Sequence, residues 1–132
     1  MMPSGILMTW GDSAKIPAVL IVEDEALVRS GAAKMVEDAG FEVIEAANAD
    51  EAIRILESNR DIRVVFTDVQ MPGSMDGLKL AHAVRNRWPP IKIIVTSGHE
   101  LLTEQELPKG ARFFAKPYSP FQIRDALRAL TL

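Results

Sequence analysis

The hydrophobic positions fall into short continuous runs separated by longer stretches in which apolar residues recur every three or four positions. Ala18–Val22 (AVLIV), Phe41–Glu45, Val64–Thr67, Ile91–Val95 and Ala111–Ala115 have the length and composition of strands, the first, third and fourth being apolar on both faces. Between them, Val28, Ala32, Met35 and Ala39 form a helical stripe that Gly40 stops. Asn48 with Glu51 three residues later marks the start of a helix carrying Ala52, Ile55 and Leu56 inward. A turn rich in Pro72, Gly73 and Ser74 leads to a stripe of Gly77, Ala81, Val84 and Trp88, which Pro89-Pro90 ends. The last helix is marked by Ser119 as N-cap, Pro120 at its first position and Gln122 at its third, followed by Ile123, Ala126, Leu127 and Leu130 facing inward.

Strands buried on both faces, alternating with amphipathic helices, predict an α/β fold: a five-stranded parallel sheet, doubly wound, with helices on both faces. One unit is irregular. Only 13 residues run from Gly98 to Gly110, and Pro108 limits any helix there to about Leu101–Leu107, so that helix is expected to be short or mobile. Residues 1–16 show no sustained periodicity and read as a flexible leader, with Met8 an alternative start and Trp10 without an assignable role; the domain proper is read as 17–132.

Composition narrows the classes. The chain has 132 residues, 48% hydrophobic and 25% charged, enough for one globular domain. A net charge of −3 argues against direct nucleic-acid binding. The absence of cysteine excludes a disulfide scaffold and thiol chemistry, and two histidines, His82 and His99, are too few for a histidine-rich metal cluster. No apolar run reaches the ~20 residues that span a bilayer, and the Ile6-Leu7-Met8 patch is too short for a signal peptide. A cytoplasmic domain is expected.

In an open α/β sheet, ligands bind beyond the carboxyl ends of the strands. Those ends carry Glu23 and Asp24, Asp68, Thr96 and Ser97, and Lys116. Three clustered carboxylates repel one another unless a cation offsets them, and oxygen ligands of this kind suit Mg²⁺. A carboxylate beside Mg²⁺ can attack a phosphoryl group, with a lysine and a hydroxyl offsetting charge on the phosphoryl oxygens. Asp68, alone after the most buried-looking strand and at the centre of the cluster, is the candidate nucleophile. Singly, each residue also has an ordinary structural explanation: a first-turn acid, a turn hydroxyl or a solvated lysine. Their joint placement at four strand ends favours the chemical one.

The chain resembles the receiver domain of two-component response regulators, whose fold is flavodoxin-like with strand order 2-1-3-4-5. The residues that carry the resemblance are Leu20–Glu25 (LIVEDE), Val65–Pro72 (VFTDVQMP), Met75-Asp76-Gly77, Val95–Gly98 (VTSG) and Phe114–Tyr118 (FAKPY). It implies Asp68 as phosphoacceptor, and Mg²⁺ held by Asp24, by Glu23 through water, by Asp68 and by the Gln70 carbonyl. It further implies Lys116 on the phosphoryl group before a cis bond to Pro117, a switch hydroxyl at Thr96 or, preferably, Ser97, and Phe113 as the coupled aromatic. The turn after Asp68 is one residue longer than usual, and the fourth helix is shortened, as in a subset of stand-alone receivers.

The resemblance implies phosphorylation by a histidine kinase or histidine phosphotransfer protein, and an output through an unknown downstream protein, with a second copy of the chain another candidate partner. Enzymatic action is expected only on its own phosphoryl group. The competing classes are a receiver-like interaction module that is not phosphorylated, which the intact Glu23, Asp24, Asp68 and Lys116 disfavour, and a phosphatase of the haloacid dehalogenase type. The latter needs a second acid two residues after the nucleophile, where this chain has Gln70.

Overall fold

A computed structural model describes residues 16–99 and 101–132. Five strands, β1 (Ala18–Val22), β2 (Glu42–Ala46), β3 (Ile62–Asp68), β4 (Lys92–Ser97) and β5 (Arg112–Ala115), form one parallel sheet in the order β2-β1-β3-β4-β5. Four helices accompany them among the described residues: α1 (Ala26–Asp38), α2 (Ala49–Ser58), α3 (Gly77–Arg87) and α4 (Pro120–Leu130). The predicted leader lies, Ile16 apart, outside the described residues, as do Met8 and Trp10.

Strand alternation splits the core in two. Leu20, Val22, Val65, Ile93 and Val95 pack with Ala52 and Leu56 of α2 and Leu80, Ala81 and Val84 of α3. On the opposite face, Val19, Ile21, Val64, Phe66 and Ile94 pack with Ala32, Ala33 and Val36 of α1 and Ile123, Ala126 and Leu127 of α4. Helices therefore cover both faces, which is why β1, β3 and β4 have few polar positions.

The helix starts follow side-chain chemistry. Asn48 accepts from the Glu51 amide at 2.8 Å, and the Glu51 carboxylate accepts from Ala47, one residue before the cap expected from the sequence. Ser119 forms the full reciprocal box with Gln122. The Asp76 carboxylate caps α3 by accepting from Lys79, a role sequence reading did not assign.

Two expectations are corrected. The α1 stripe is shifted: Val28, placed inward by periodicity, is 39% exposed, and Leu27 is 89% exposed, while Ala32, Ala33 and Val36 carry the buried face. The first turn of α1 starts beyond the end of β1, where no strand lies beneath it. The predicted helix at Leu101–Leu107 is absent from the described residues, leaving four helices in place of five. The segment instead makes a turn in which Glu106 accepts from both the amide and the hydroxyl of Thr103. Its carbonyls face α3: His82 bonds Glu106 O at 2.8 Å and Arg85 donates to Lys109 O at 3.2 Å. Pro108 has no amide to continue a helix. Leu102 and Leu107 close over the sheet in place of helical side chains. Trp88 packs at the edge of the core, as expected, with the Arg87 guanidinium 4.4 Å from its ring centre.

Ser119→Ala removes the acceptor for two α4 amides. It is expected to lower stability by about 1 kcal/mol in urea unfolding.

Candidate functional site

The strand order reverses between β1 and β3, since β1 continues to β2 on one side while β3 continues to β4 and β5 on the other. At such a switch point the loops leave in opposite directions and open a crevice. Val22 pairs with Thr67, so Glu23 follows level with Asp68; Asp68 in turn pairs with Thr96. The register alone therefore delivers the predicted residues to one edge.

Glu23, Asp24 and Asp68 offer carboxylate oxygens that all lie within 4.8 Å of one another. Lys116 faces them, its Nζ 3.2 Å from Asp68 Oδ1 and 3.5 Å from Glu23 Oε1. Together with Glu25, Gln70, Gly98 and His99 they line a cavity of about 210 Å³. Asp68 and Glu23 are 8% and 5% exposed, whereas Asp24 is open to solvent.

Burial acts first on Glu23 and raises its carboxyl above the usual range; the Glu25 amide opposes this, and the Asp68 charge adds to it. For Lys116, burial pulls downward, but the Asp68 and Glu23 carboxylates outweigh it and hold the ammonium above its usual value. Burial likewise raises Tyr118, whose ring packs edge-on against Phe66, 6.0 Å between centres. Three carboxylates against one ammonium leave the cluster short of positive charge. Asp68 Oδ1 is buried and accepts no directed hydrogen bond, its contact with Lys116 being an ion pair. A buried carboxylate oxygen with spare lone pairs, beside two further acids, fits a small divalent cation.

Side-chain alternation separates the two candidate hydroxyls. Ser97 follows Val95 onto the α2–α3 face, where Phe113 also packs, whereas Thr96 follows Ile94 onto the other face. The Ser97 hydroxyl, 1% exposed, donates to Gln70 Oε1 at 3.1 Å. The structure thus brings Ser97, Gln70, Glu23, Asp24, Asp68 and Lys116 together and places Phe113 on the Ser97 side. Neither hydroxyl residue lines the cavity itself; Ser97 reaches it through its bond to Gln70, which does. The Lys116–Pro117 bond is cis.

Two supporting residues were not found from sequence. Arg29 donates to the Glu23 carbonyl at 2.8 Å and to Glu45 at 3.1 Å, tying the acidic loop to β2. An arginine one turn into α1 gave no signal, because its partners come from the loop and from a neighbouring strand. Gly77, read only as part of a helical stripe, starts α3 against the backbone of Asp68: a Cβ there would sit 1.7 Å from the Asp68 carbonyl oxygen, and the Gly77 amide donates to Val69 O at 2.9 Å.

A family model described as the response regulator receiver domain matches residues 19–128. The chain is 37% identical over 116 residues to the sensor kinase CckA of Brucella abortus, covering 85% of this chain and 12% of that protein. It is 33% identical over 126 residues to the transcriptional regulatory protein PdtaR of Mycobacterium tuberculosis, covering 94% and 60%. It therefore spans less than two thirds of the length of either relative. Among solved structures, a response regulator receiver protein from Sinorhizobium medicae superposes with a TM-score of 0.82 at 27% identity, covering 88% of this chain and 94% of that one. The receiver domain of the hybrid histidine kinase CckA superposes with 0.72 at 32%, covering 87% and 99%. No helix of the described residues is long and apolar enough to cross a membrane.

Two outcomes test the site's construction. Gly77→Ala forces α3 away from Asp68 and is expected to cost about 3 kcal/mol in chemical unfolding. Glu23→Gln is expected to stabilise the metal-free protein at pH 7. The raised Glu23 carboxyl contributes stability that is complete below the unfolded value near 4.5 and is lost as pH rises through the folded value. The neutral amide escapes that loss, so the gain in melting temperature should be present at pH 7 and shrink toward pH 4.

Proposed function

Because the chain belongs to the response regulator receiver domain family of two-component signalling, we propose that it accepts a phosphoryl group on Asp68 from a histidine kinase or histidine phosphotransfer protein and thereby switches a protein-binding surface. The observation that carries this reading is the buried Asp68 carboxylate, held 3.2 Å from Lys116 and clustered with Glu23 and Asp24 at the strand-order reversal.

Asp24, Asp68, the Gln70 carbonyl and, through water, Glu23 would hold Mg²⁺. When bound, the ion supplies charge stabilisation to the phosphoryl oxygens and relieves repulsion among the acids. The chain's own residues do the rest. An Asp68 carboxylate oxygen attacks phosphorus, forming a P–O bond as the P–N bond to the donor imidazole breaks; the imidazole leaves with the electron pair and is protonated. Lys116 is positioned to offset charge on the transferred group. Hydrolysis reverses the state: water attacks phosphorus, the P–O bond to Asp68 breaks, and the carboxylate leaves. This is catalysis on the chain's own phosphoryl group only.

Signalling follows from the shared face of Ser97 and Phe113. A phosphoryl oxygen on Asp68 attracts the Ser97 hydroxyl inward, and Phe113 moves into the space released. The surface that changes is the Ser97 loop and β5, recognised by a downstream protein. The non-helical 101–110 segment leads from that loop into β5, so this output surface is built from turn-forming chain in place of a helix between β4 and β5.

Intact mass after incubation with acetyl phosphate and Mg²⁺ tests the reading. Wild type should gain one phosphoryl group, while Asp68→Asn and a Mg²⁺-free sample should gain none. Equal incorporation by Asp68→Asn would overturn the assignment.

A further inference from the structure

Gln70 enters the reading above only through its backbone carbonyl, yet its side chain reaches across the site. Its Oε1 accepts from the Ser97 hydroxyl at 3.1 Å, linking the loop after β3 to the end of β4. The same hydroxyl oxygen accepts from the His99 amide at 3.2 Å, which fixes the oxygen at the base of the loop. A serine hydroxyl has a single proton to donate. A bond to Gln70 and a bond to a phosphoryl oxygen on Asp68 therefore exclude each other.

We infer that the Gln70 carboxamide is a positioning residue that holds the Ser97 proton in the unphosphorylated arrangement and competes with the phosphoryl group for it. The inference rests on the phosphoacceptor reading of Asp68 and goes further, assigning to the Gln70 side chain the setting of the balance between the two loop states. Both partners are well placed for this. Ser97 is buried, so the hydroxyl exchanges one protein partner for another with little access to water, and Gln70 borders the same cavity as Asp68. A ligand drawing Ser97 inward must first break this bond, and its apparent affinity falls by the fraction of molecules in which the bond is made.

The test uses beryllofluoride, a tetrahedral phosphoryl mimic that binds carboxylates, with Mg²⁺ and the full chain, its affinity read from the amide resonances of Gly98 and His99. Gln70→Met keeps the length of the side chain and removes its strong acceptor. It is expected to bind beryllofluoride roughly three- to tenfold more tightly than wild type, the range of one neutral hydrogen bond. In a Ser97→Ala background the same substitution should leave affinity unchanged, an outcome that a change in site access would not produce. Unchanged or weaker binding by Gln70→Met, or a gain that persists without the Ser97 hydroxyl, would overturn the inference. Absence of binding by wild type and variants alike would overturn the Asp68 reading itself and the inference with it.

Discussion

The constraint on which the site depends is the enforced proximity of like charges. Glu23, Asp24 and Asp68 converge within 4.8 Å, two of them buried, with Lys116 the ammonium facing them. In water such carboxylates would separate. Here the parallel register of β1 and β3 fixes them side by side, and the apolar residues that hold that register, from Val19 to Val22 and from Val64 to Phe66, lie far inside the core. Hydrophobic burial thus maintains an electrostatic arrangement that is unfavourable by itself, the usual relation between a scaffold and a functional site. The raised Glu23 carboxyl, set chiefly by burial, is the trace of that cost.

The supporting contacts act to keep the cluster open to a cation and closed to relaxation. Arg29 holds the acidic loop by its backbone at Glu23 and leaves the carboxylates facing the cavity. Gly77 lets α3 begin directly against the Asp68 backbone, where any side chain would collide with its carbonyl. On the far side, Ser97, Gln70 and the His99 amide form a hydrogen-bonded group that spans two loops. A charge placed on Asp68 meets donors and acceptors that are already positioned.

Much of this was legible in the sequence, for physical reasons that differ by element. The continuous apolar runs around Leu20, Val65 and Ile94 can only be strands of a sheet covered on both faces, and the caps at Asn48 and Ser119 are local chemistry, so fold class and helix starts were readable. Strand bounds moved by one or two residues, as at β3, which starts at Ile62, because pairing depends on neighbours and not on the strand's own residues. Val28 misled because helical periodicity carries no information about where the sheet beneath ends. The missing helix before β5 reflects His82 and Arg85, which take carbonyls from a segment 24 residues away in sequence. The acids and Lys116 were visible as strand-end residues. Arg29, the steric role of Gly77 and the Gln70–Ser97 bond were not, since each exists only through contacts between separate loops.

The measurement that bears most directly on the central claim is the melting temperature of the metal-free chain as a function of MgCl₂, against NaCl at matched ionic strength. If the clustered acids await a divalent cation, the melting temperature rises with Mg²⁺ beyond the NaCl control, as mass action requires for a ligand of the folded state alone. Asp24→Asn should flatten the rise. A wild-type curve that follows NaCl at every concentration would contradict the account, leaving the acidic cluster a feature of the fold without a cation to hold.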